Sequence, residues 1–180
     1  MKRSTIRDYG FLIGIAVSVV VLDQLTKSLV RTYLAVGETW VPFEWLRPYA
    51  RIVHWNNTGA AFGIFPSAGG IFTVVAVLVI GAILVYFPRV PRQQVVVRIA
   101  LALQLGGAAG NLVDRLLHGP VIDFVSVGNF AVFNVADSCI TIGAVLLVGA
   151  LWFEERQNKD KAGDDPEEDR RSQNLESRSG

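Results

Sequence analysis

Four long hydrophobic segments constrain the fold of this 180-residue chain more than any other feature of its sequence. They run from about residue 9 to 30, 69 to 87, 95 to 117 and 132 to 153. Each has about the 20 residues that an α-helix needs to cross a bilayer. Charged residues are rare between residues 9 and 153, which hold 6 acids and 8 bases, too few to cover a water-soluble domain. The sequence therefore predicts an all-α membrane protein with four transmembrane helices.

The first segment also fits a second interpretation, a cleavable signal peptide. Three basic residues precede an apolar core of 13 residues, as in secretory signals. However, Asp23 and Lys27 lie between that core and the small residues at which cleavage would occur. Signal peptides stay weakly polar in that region, so we favour a transmembrane helix.

The basic residues of the short connections predict the orientation of the four helices. Three basic residues precede the first helix, and Arg89 and Arg92 lie between the second and the third. Four spans place both of these regions and the C-terminal tail on the same side, which the positive-inside rule makes cytoplasmic. Residues 31–68 and 118–131 then face outward, and both termini lie in the cytoplasm.

The C-terminal part of the chain has a different composition. Residues 154–180 hold 9 acids and 6 bases, and the polar sequence from residue 158 onward has no apolar periodicity. We therefore predict a membrane domain over residues 1–157 and a charged, disordered cytoplasmic tail over 158–180. The formal net charge of +1 provides no basic surface for nucleic acid, so no nucleic-acid partner is expected.

Two residue types argue against thiolate or histidine chemistry. Cys139 is the single cysteine of the chain, which excludes an internal disulfide, and its apolar surroundings predict a buried, inert thiol. His54 has no partner at a spacing typical of zinc ligands, so no metal site is expected.

Ionisable residues at membrane depth are costly and therefore indicate function. In the predicted orientation, they collect near the outer ends of the helices. That cluster comprises Asp23, Lys27, Asn111, Asp114, Arg115, Asn134 and Asp137, with Asp123 in the short outer connection.

Part of this cluster has a sufficient structural explanation. Asp23 and Lys27 are four residues apart on one helix, which predicts an ion pair between them. Asp114 and Arg115 are adjacent in sequence, so their side chains leave the helix in different directions and should contact different helices.

Asp123 and Asp137 are different, because neither has a basic residue within four positions. Two carboxylates near a low dielectric tend to share one proton. One of them can then activate water while its protonated partner polarises a carbonyl, as in aspartic proteases. The chemistry of these residues alone leaves two equal alternatives, a hydrolytic dyad and a site for proton or cation translocation.

Five sequence blocks, taken together, resemble the lipoprotein signal peptidase family, also called signal peptidase II. In chain order they are DQLTK at 23–27, NNTGAAFG at 56–63, GGAAGNLVDR at 106–115, VIDF at 121–124 and FNVADS at 133–138. The resemblance implies a four-helix membrane enzyme with a small extracytoplasmic β-cradle and a short outer helix, both from residues 31–68. The alternating sequence RIVHW at 51–55 independently predicts a strand there.

The resemblance also implies an activity and a site near the outer face of the bacterial cell membrane. Members are aspartic endopeptidases that cleave the signal peptide from diacylglyceryl-modified prolipoproteins, just before the lipidated cysteine, without metal or cofactor. By motif, Asp123 and Asp137 are the catalytic pair. The pocket residues are Asn57, Gly59, Asn111, Arg115 and Asn134, and the supporting polar residues are Asp23, Lys27 and Asp114. The expected partners are prolipoprotein substrates and membrane lipid, and the expected state is a monomer.

Two other functional classes compete with the peptidase. A proton-coupled carrier would place its acids near the bilayer midplane between internal repeats, whereas these acids lie near the outer face and no repeat is found. A non-catalytic scaffold would need no isolated carboxylates.

Overall fold

Four helices form the body of the computed structural model, which describes residues 3–59 and 69–163, with side chains for 7–59 and 69–156. All four helices are long and apolar enough to cross a membrane, which confirms the predicted fold class. They are α1 (Arg3–Tyr33), α2 (Gly69–Tyr86), α3 (Val95–Leu117) and α4 (Val135–Gly163).

Helix α3 is the centre of the bundle and contacts each of the other three helices. Glycines on α3 allow two of these neighbours to approach closely. A Cβ atom on Gly106 would lie 2.8 Å from the carbonyl oxygen of Ala16 in α1, and one on Gly107 would collide with the carbonyl of Ala136 in α4. This close packing brings polar side chains from α1, α3 and α4 into contact.

A three-stranded antiparallel sheet covers one end of the bundle. Its strands are β1 (Thr39–Trp40), β2 (Ala50–Asn57) and β3 (Val121–Val127), in that order across the sheet. Strand β2 confirms the strand predicted at 51–55, and a 3₁₀ turn at Glu44–Leu46 supplies the short outer helix.

Strand β3 corrects the expectation that the cradle comes from residues 31–68 alone. It is formed by the connection between α3 and α4, and it pairs Asp123 with Trp55 of β2. Most of β3 is buried, so its sequence VIDFVSV lacks the apolar–polar alternation that marks a half-exposed strand.

The ends of α4 also differ from the prediction. The helix begins at Val135 and continues to Gly163, so residues 158–163, predicted as part of a disordered tail, are helical. Extending a formed helix costs little, and Lys159, Lys161 and Ala162 are good helix formers. Residues 164–180 lie outside the described residues. Cys139 in the second turn of α4 is partly exposed, which corrects the predicted full burial.

Candidate active site

Asp123 and Asp137 lie on two different elements, β3 and α4, and the chain folds back between them. Asp123 is in the middle of β3 and is 1% exposed, whereas Asp137 is the third residue of α4. The connection between them is closed by backbone hydrogen bonds between Val125 and Phe133, at 2.8 and 3.0 Å. The two acids, predicted from sequence as a pair, are thus placed at the same end of the bundle.

Asn134 fixes the start of α4 and orients Asp137. Its side-chain oxygen Oδ1 accepts from the backbone N–H of Asp137 at 2.9 Å, and Asp137 Oδ2 accepts from the backbone N–H of Asn134 at 3.2 Å. This reciprocal arrangement is a capping box, which satisfies two N–H groups that a helix start leaves without partners.

Three asparagine side chains hold the two carboxylates. Asp123 accepts from Asn57 Nδ2 at 2.8 Å and from Asn134 Nδ2 at 2.7 Å, one on each oxygen. Asp137 accepts from Asn111 Nδ2 at 2.7 Å. All three asparagines were predicted as pocket residues, and Asn134 contacts both acids directly.

Burial and the neighbouring acid raise the pKa of Asp123 from 3.8 to about 7. Loss of hydration disfavours the charged form first, and the negative charge of Asp137 adds to the effect. Hydrogen bonds from Asn57 and Asn134 oppose this shift without cancelling it. Asp123 can therefore exchange a proton near neutral pH, which an ordinary aspartate cannot.

A second group of charges surrounds Lys27, which is fully buried. Its ammonium Nζ lies 2.7 Å from Asp23 Oδ2, 2.9 Å from Asp114 Oδ2 and 3.0 Å from Asn111 Oδ1. These contacts use all three of its donors. The i, i+4 ion pair predicted between Asp23 and Lys27 is confirmed, and Asn111 joins this group to Asp137.

The two acids of the Lys27 group also bind the backbone beside the catalytic candidates. Asp114 Oδ2 accepts from the backbone N–H of Ile122, at 3.2 Å, in the residue before Asp123. Asp23 Oδ1 accepts from the backbone N–H of Ala136, at 3.0 Å, in the residue before Asp137. Each supporting acid thus fixes the main chain next to one member of the pair.

A family model described as signal peptidase (SPase) II matches residues 15–153 of the chain. The chain belongs to the signal peptidase II family. The resemblance seen in the five sequence blocks is thereby confirmed, and the chain is an aspartic-type peptidase and a multi-pass bacterial membrane protein.

Similar proteins cover nearly the same length. Lipoprotein signal peptidases of Staphylococcus aureus and Staphylococcus carnosus (strain TM300) are 34% and 33% identical to the chain. These matches cover 84% and 81% of this chain, and 94% and 92% of the relatives. Two bacterial membrane enzymes solved by the in meso method superpose with TM-scores of 0.74 and 0.70, at 31% and 33% identity. They cover 87% and 79% of this chain, and each is itself covered over 92% of its length.

Two further predicted pocket residues of this signal peptidase II contact the acids indirectly. The Arg115 guanidinium lies 5.7 Å from the centre of the Phe72 ring on α2, and its charge interacts with both Asp123 and Asp137. Asp114 and Arg115 therefore contact different helices, as predicted. Gly59 donates its backbone N–H to Asn57 Oδ1 at 3.0 Å and so orients the asparagine that holds Asp123. The rest of the GAAFG sequence, at 60–63, lies outside the described residues.

Sequence reasoning missed Gln24 and the polar cluster at the opposite end of the bundle. Gln24 Nε2 lies within 3.2 Å of Asp23 Oδ2 and Asp114 Oδ1. Its position inside the DQLTK block was the available signal. The opposite cluster consists of Asp8, Arg92 and Arg98, and Arg98 is its buried residue.

The described residues contain no group of three or more His, Cys, Asp or Glu side chains that could hold a metal ion. His54 is buried, with its Nδ1 atom 2.9 Å from the carbonyl oxygen of Leu34. This contact gives His54 a structural role at the junction of α1 and the sheet.

Proposed function

We propose that this chain cleaves the signal peptide from diacylglyceryl-modified prolipoproteins, immediately before the lipidated cysteine, with Asp123 and Asp137 as the catalytic dyad. The observation that carries the proposal is the way the two carboxylates are held. Both accept hydrogen bonds from neutral amides, and no ion pair to either is found among the described side chains. They therefore keep the ability to share and transfer a proton.

In the proposed reaction, Asp123 holds the shared proton and Asp137 is ionised. Asp137 takes a proton from a water molecule, whose oxygen attacks the carbonyl carbon of the scissile peptide bond. Asp123 donates its proton to the carbonyl oxygen, which gives a neutral tetrahedral intermediate. Asp137 then passes its proton to the leaving nitrogen as the C–N bond breaks, and one hydroxyl of the intermediate returns a proton to Asp123, which forms the new carboxyl group and restores the dyad.

Asn111 and Asn134 are positioning residues in this reaction. Asn134 donates to both carboxylates, through Nδ2 to Asp123 and through its backbone N–H to Asp137, and Asn111 donates to Asp137, so each acid is kept in one orientation before the substrate arrives. Such pre-organisation lowers the cost of aligning the water with the carbonyl carbon.

The depth of the dyad suits a lipid-anchored substrate. Asp123 and Asp137 lie where α3 ends, α4 begins and the sheet covers the bundle. We assign this end to the outer face and both termini to the cytoplasm, following the distribution of basic residues. A diacylglyceryl group in the outer leaflet would then keep the adjacent peptide bond at the level of the acids, where water has access.

One chain supplies every group of the proposed site. The dyad, its three asparagines and the Lys27 group all come from α1, β2, β3, α3 and α4 of the same molecule. We therefore propose that the monomer is active and that residues 1–157 form the peptidase domain, with the remaining residues as an appended tail.

The decisive test is cleavage of a purified diacylglyceryl-modified prolipoprotein by the wild type, Asp123→Asn and Asp137→Asn. Each substitution keeps the size of the side chain and removes its ability to transfer a proton. We expect both to lower the rate by about 1,000-fold or more in protein that a cooperative melting transition shows to be folded. Glu44→Gln, a matched change at an exposed acid paired with Arg47, should retain wild-type activity.

The possible results of this experiment test the catalytic dyad and the lipid-modified substrate separately. Cleavage that survives either dyad substitution in a folded protein contradicts the dyad. If the wild type cleaves only a prolipoprotein that lacks the diacylglyceryl group, the substrate assignment is wrong while the dyad stands.

A further inference from the structure

A cavity lined by charged and apolar residues lies at the end of the bundle opposite the dyad, between the start of α1 and the start of α3. Its volume is about 270 Å³. Its lining residues are Arg7, Asp8, Phe11, Arg92, Val95 and Arg98.

The floor of this cavity is a fixed arginine. Arg98 is 5% exposed, and its guanidinium stacks over the Phe87 ring with a distance of 4.3 Å to the ring centre. Arg98 Nη2 donates to Asp8 Oδ1 at 2.8 Å, and Nη1 donates to the carbonyl oxygen of Val90 at 3.1 Å. Arg98 is thereby held rigidly, as an anion site requires.

The cavity carries more positive than negative charge. Arg92 also binds Asp8, with Nε at 2.9 Å from Oδ1 and Nη2 at 3.1 Å from Oδ2. Arg7 is exposed, and no ion pair joins it to a carboxylate among the described side chains. Three guanidinium groups and one carboxylate therefore line the cavity.

The cavity lies at the ends of two helices that are long and apolar enough to cross a membrane. Arg7 is in the first turns of α1, and Val95 is the first residue of α3, so the positive-inside rule places the arginines near the lipid headgroups of the cytoplasmic face. Phe11 and Val95 expose 39% and 51% of their surface beside them. One wall is thus cationic and the other apolar, which is the polarity of a phospholipid at the point where phosphate meets acyl chain.

We propose that this cavity binds the headgroup phosphate of an anionic phospholipid. Arg7 contacts the phosphate, since guanidinium groups bind phosphate oxygens through paired N–H donors. Arg92, whose Nε and Nη2 already donate to Asp8, adds its positive charge beside the phosphate. The acyl chains lie along Phe11 and Val95. Juxtamembrane basic residues attract anionic lipid with a strength that corresponds to about fivefold in affinity for each charge.

The test counts lipids retained by the purified full-length chain in native mass spectrometry. The protein is equilibrated with phosphatidylglycerol or phosphatidylcholine of identical acyl chains, with and without excess inorganic phosphate. We expect one phosphatidylglycerol to be retained about tenfold more strongly than phosphatidylcholine. Arg7→Gln with Arg92→Gln should abolish this preference, and Arg7→Gln alone, which breaks no contact to a described carboxylate, should lower it about fivefold.

Arg156→Gln is the matched control, because it removes the same charge from the same end of the bundle. Arg156 lies over the Trp152 ring, outside the cavity, so the lipid preference should not change. Equal retention of the two lipids by the wild type overturns the proposal, as does an equal loss in Arg156→Gln. Displacement of phosphatidylglycerol by inorganic phosphate would instead identify a site for a soluble anion. These readouts do not depend on peptidase activity.

Discussion

Two pairs of aspartates lie at the same end of this bundle, and they differ in the groups that bond their carboxylates. Asp23 and Asp114 share the ammonium group of Lys27, at 2.7 and 2.9 Å. Asp123 and Asp137 accept hydrogen bonds from neutral asparagine amides instead, and no cation forms an ion pair with them within the described part of the chain. Both pairs connect to Asn111, so they differ in charge compensation rather than in location.

This difference in bonding partners corresponds to the two roles that we propose, structural support for Asp23 and Asp114 and proton transfer for Asp123 and Asp137. A cation at hydrogen-bond distance offsets part of the cost of burying the charge of a carboxylate. No described cation forms an ion pair with Asp123, and burial together with the charge of Asp137 raises its pKa to about 7, so Asp123 can bind a proton near neutral pH. The paired acids Asp23 and Asp114 instead anchor the backbone next to Asp137 and Asp123, through Ala136 and Ile122.

Removing the shared cation should have the largest effect on stability. Lys27→Met keeps most of the apolar part of the side chain but removes the ammonium group that pairs with the buried Asp23 and Asp114. We expect the free energy of unfolding to fall by about 3–5 kcal/mol. Reversible unfolding in mixed micelles measures this change. A loss below about 1 kcal/mol would show that Lys27 does not stabilise the support pair as the geometry implies.

The link between the two pairs should affect catalysis more than substrate binding. Asn111→Ala removes the donor to Asp137 and the acceptor for Lys27, so Asp137 loses its fixed orientation. We expect kcat to fall about 10- to 100-fold with KM nearly unchanged. Gln24→Ala is the matched control, because the Gln24 amide contacts Asp23 and Asp114 but neither member of the dyad. Equal losses of kcat in both variants would contradict the prediction that Asn111 acts on catalysis through its bond to Asp137.

The raised pKa of Asp123 should make both stability and cleavage depend on pH. The pKa of Asp123 is about 7 in the folded chain, whereas an ordinary aspartate, as in the unfolded chain, has a pKa of 3.8. At pH values between these two pKa values, the folded chain binds more protons than the unfolded chain. The free energy of unfolding should therefore fall as pH rises through this window, by about 1–3 kcal/mol in total. Cleavage should decline as pH rises through about 7, because the dyad loses its shared proton.

Asp123→Asn supplies the control for this pH effect. The variant has no carboxylate at this position, so its unfolding free energy should change less between about pH 5 and pH 8 than that of the wild type. An equally steep change in both proteins would assign the pH dependence to other groups.

The smallest effect is expected where an ion pair is exposed. Arg47 and Glu44 are joined at 2.9 Å, a distance close to those in the Lys27 group, but their side chains are 49% and 79% exposed. Arg47→Met should leave the free energy of unfolding unchanged within the error of the measurement, because water already hydrates both charges. A change comparable with that of Lys27→Met would show that burial does not set the strength of these pairs.

The sequence predicted the parts of this molecule that depend on local pattern. Hydrophobic length located all four helices, and both ends of α3 match the predicted 95–117. The spacing of Asp23 and Lys27 predicted their ion pair, because four residues make about one turn of a helix. The absence of basic neighbours in the sequence distinguished Asp123 and Asp137 from the other acids of the outer polar cluster.

The features that the sequence could not predict depend on how distant elements pack. Asn111 meets Lys27 across 84 positions of the chain, and Ile122 meets Asp114 only because β3 folds back over α3. Strand β3 itself was missed, since a buried strand has no alternating pattern. The extension of α4 past residue 158 was also missed, because the charged composition there is shared by helices and disordered tails.

The closed connection between Asp123 and Asp137 has a practical use. Val125 and Phe133 clamp its two ends with backbone hydrogen bonds, so the separation of the acids does not depend on what lies at its tip. Gly128, with a φ of 53°, and the exposed Phe130 form that tip. A fluorescent label or an affinity tag inserted after Gly128 would sit beside the reaction centre without lengthening the path that sets its geometry.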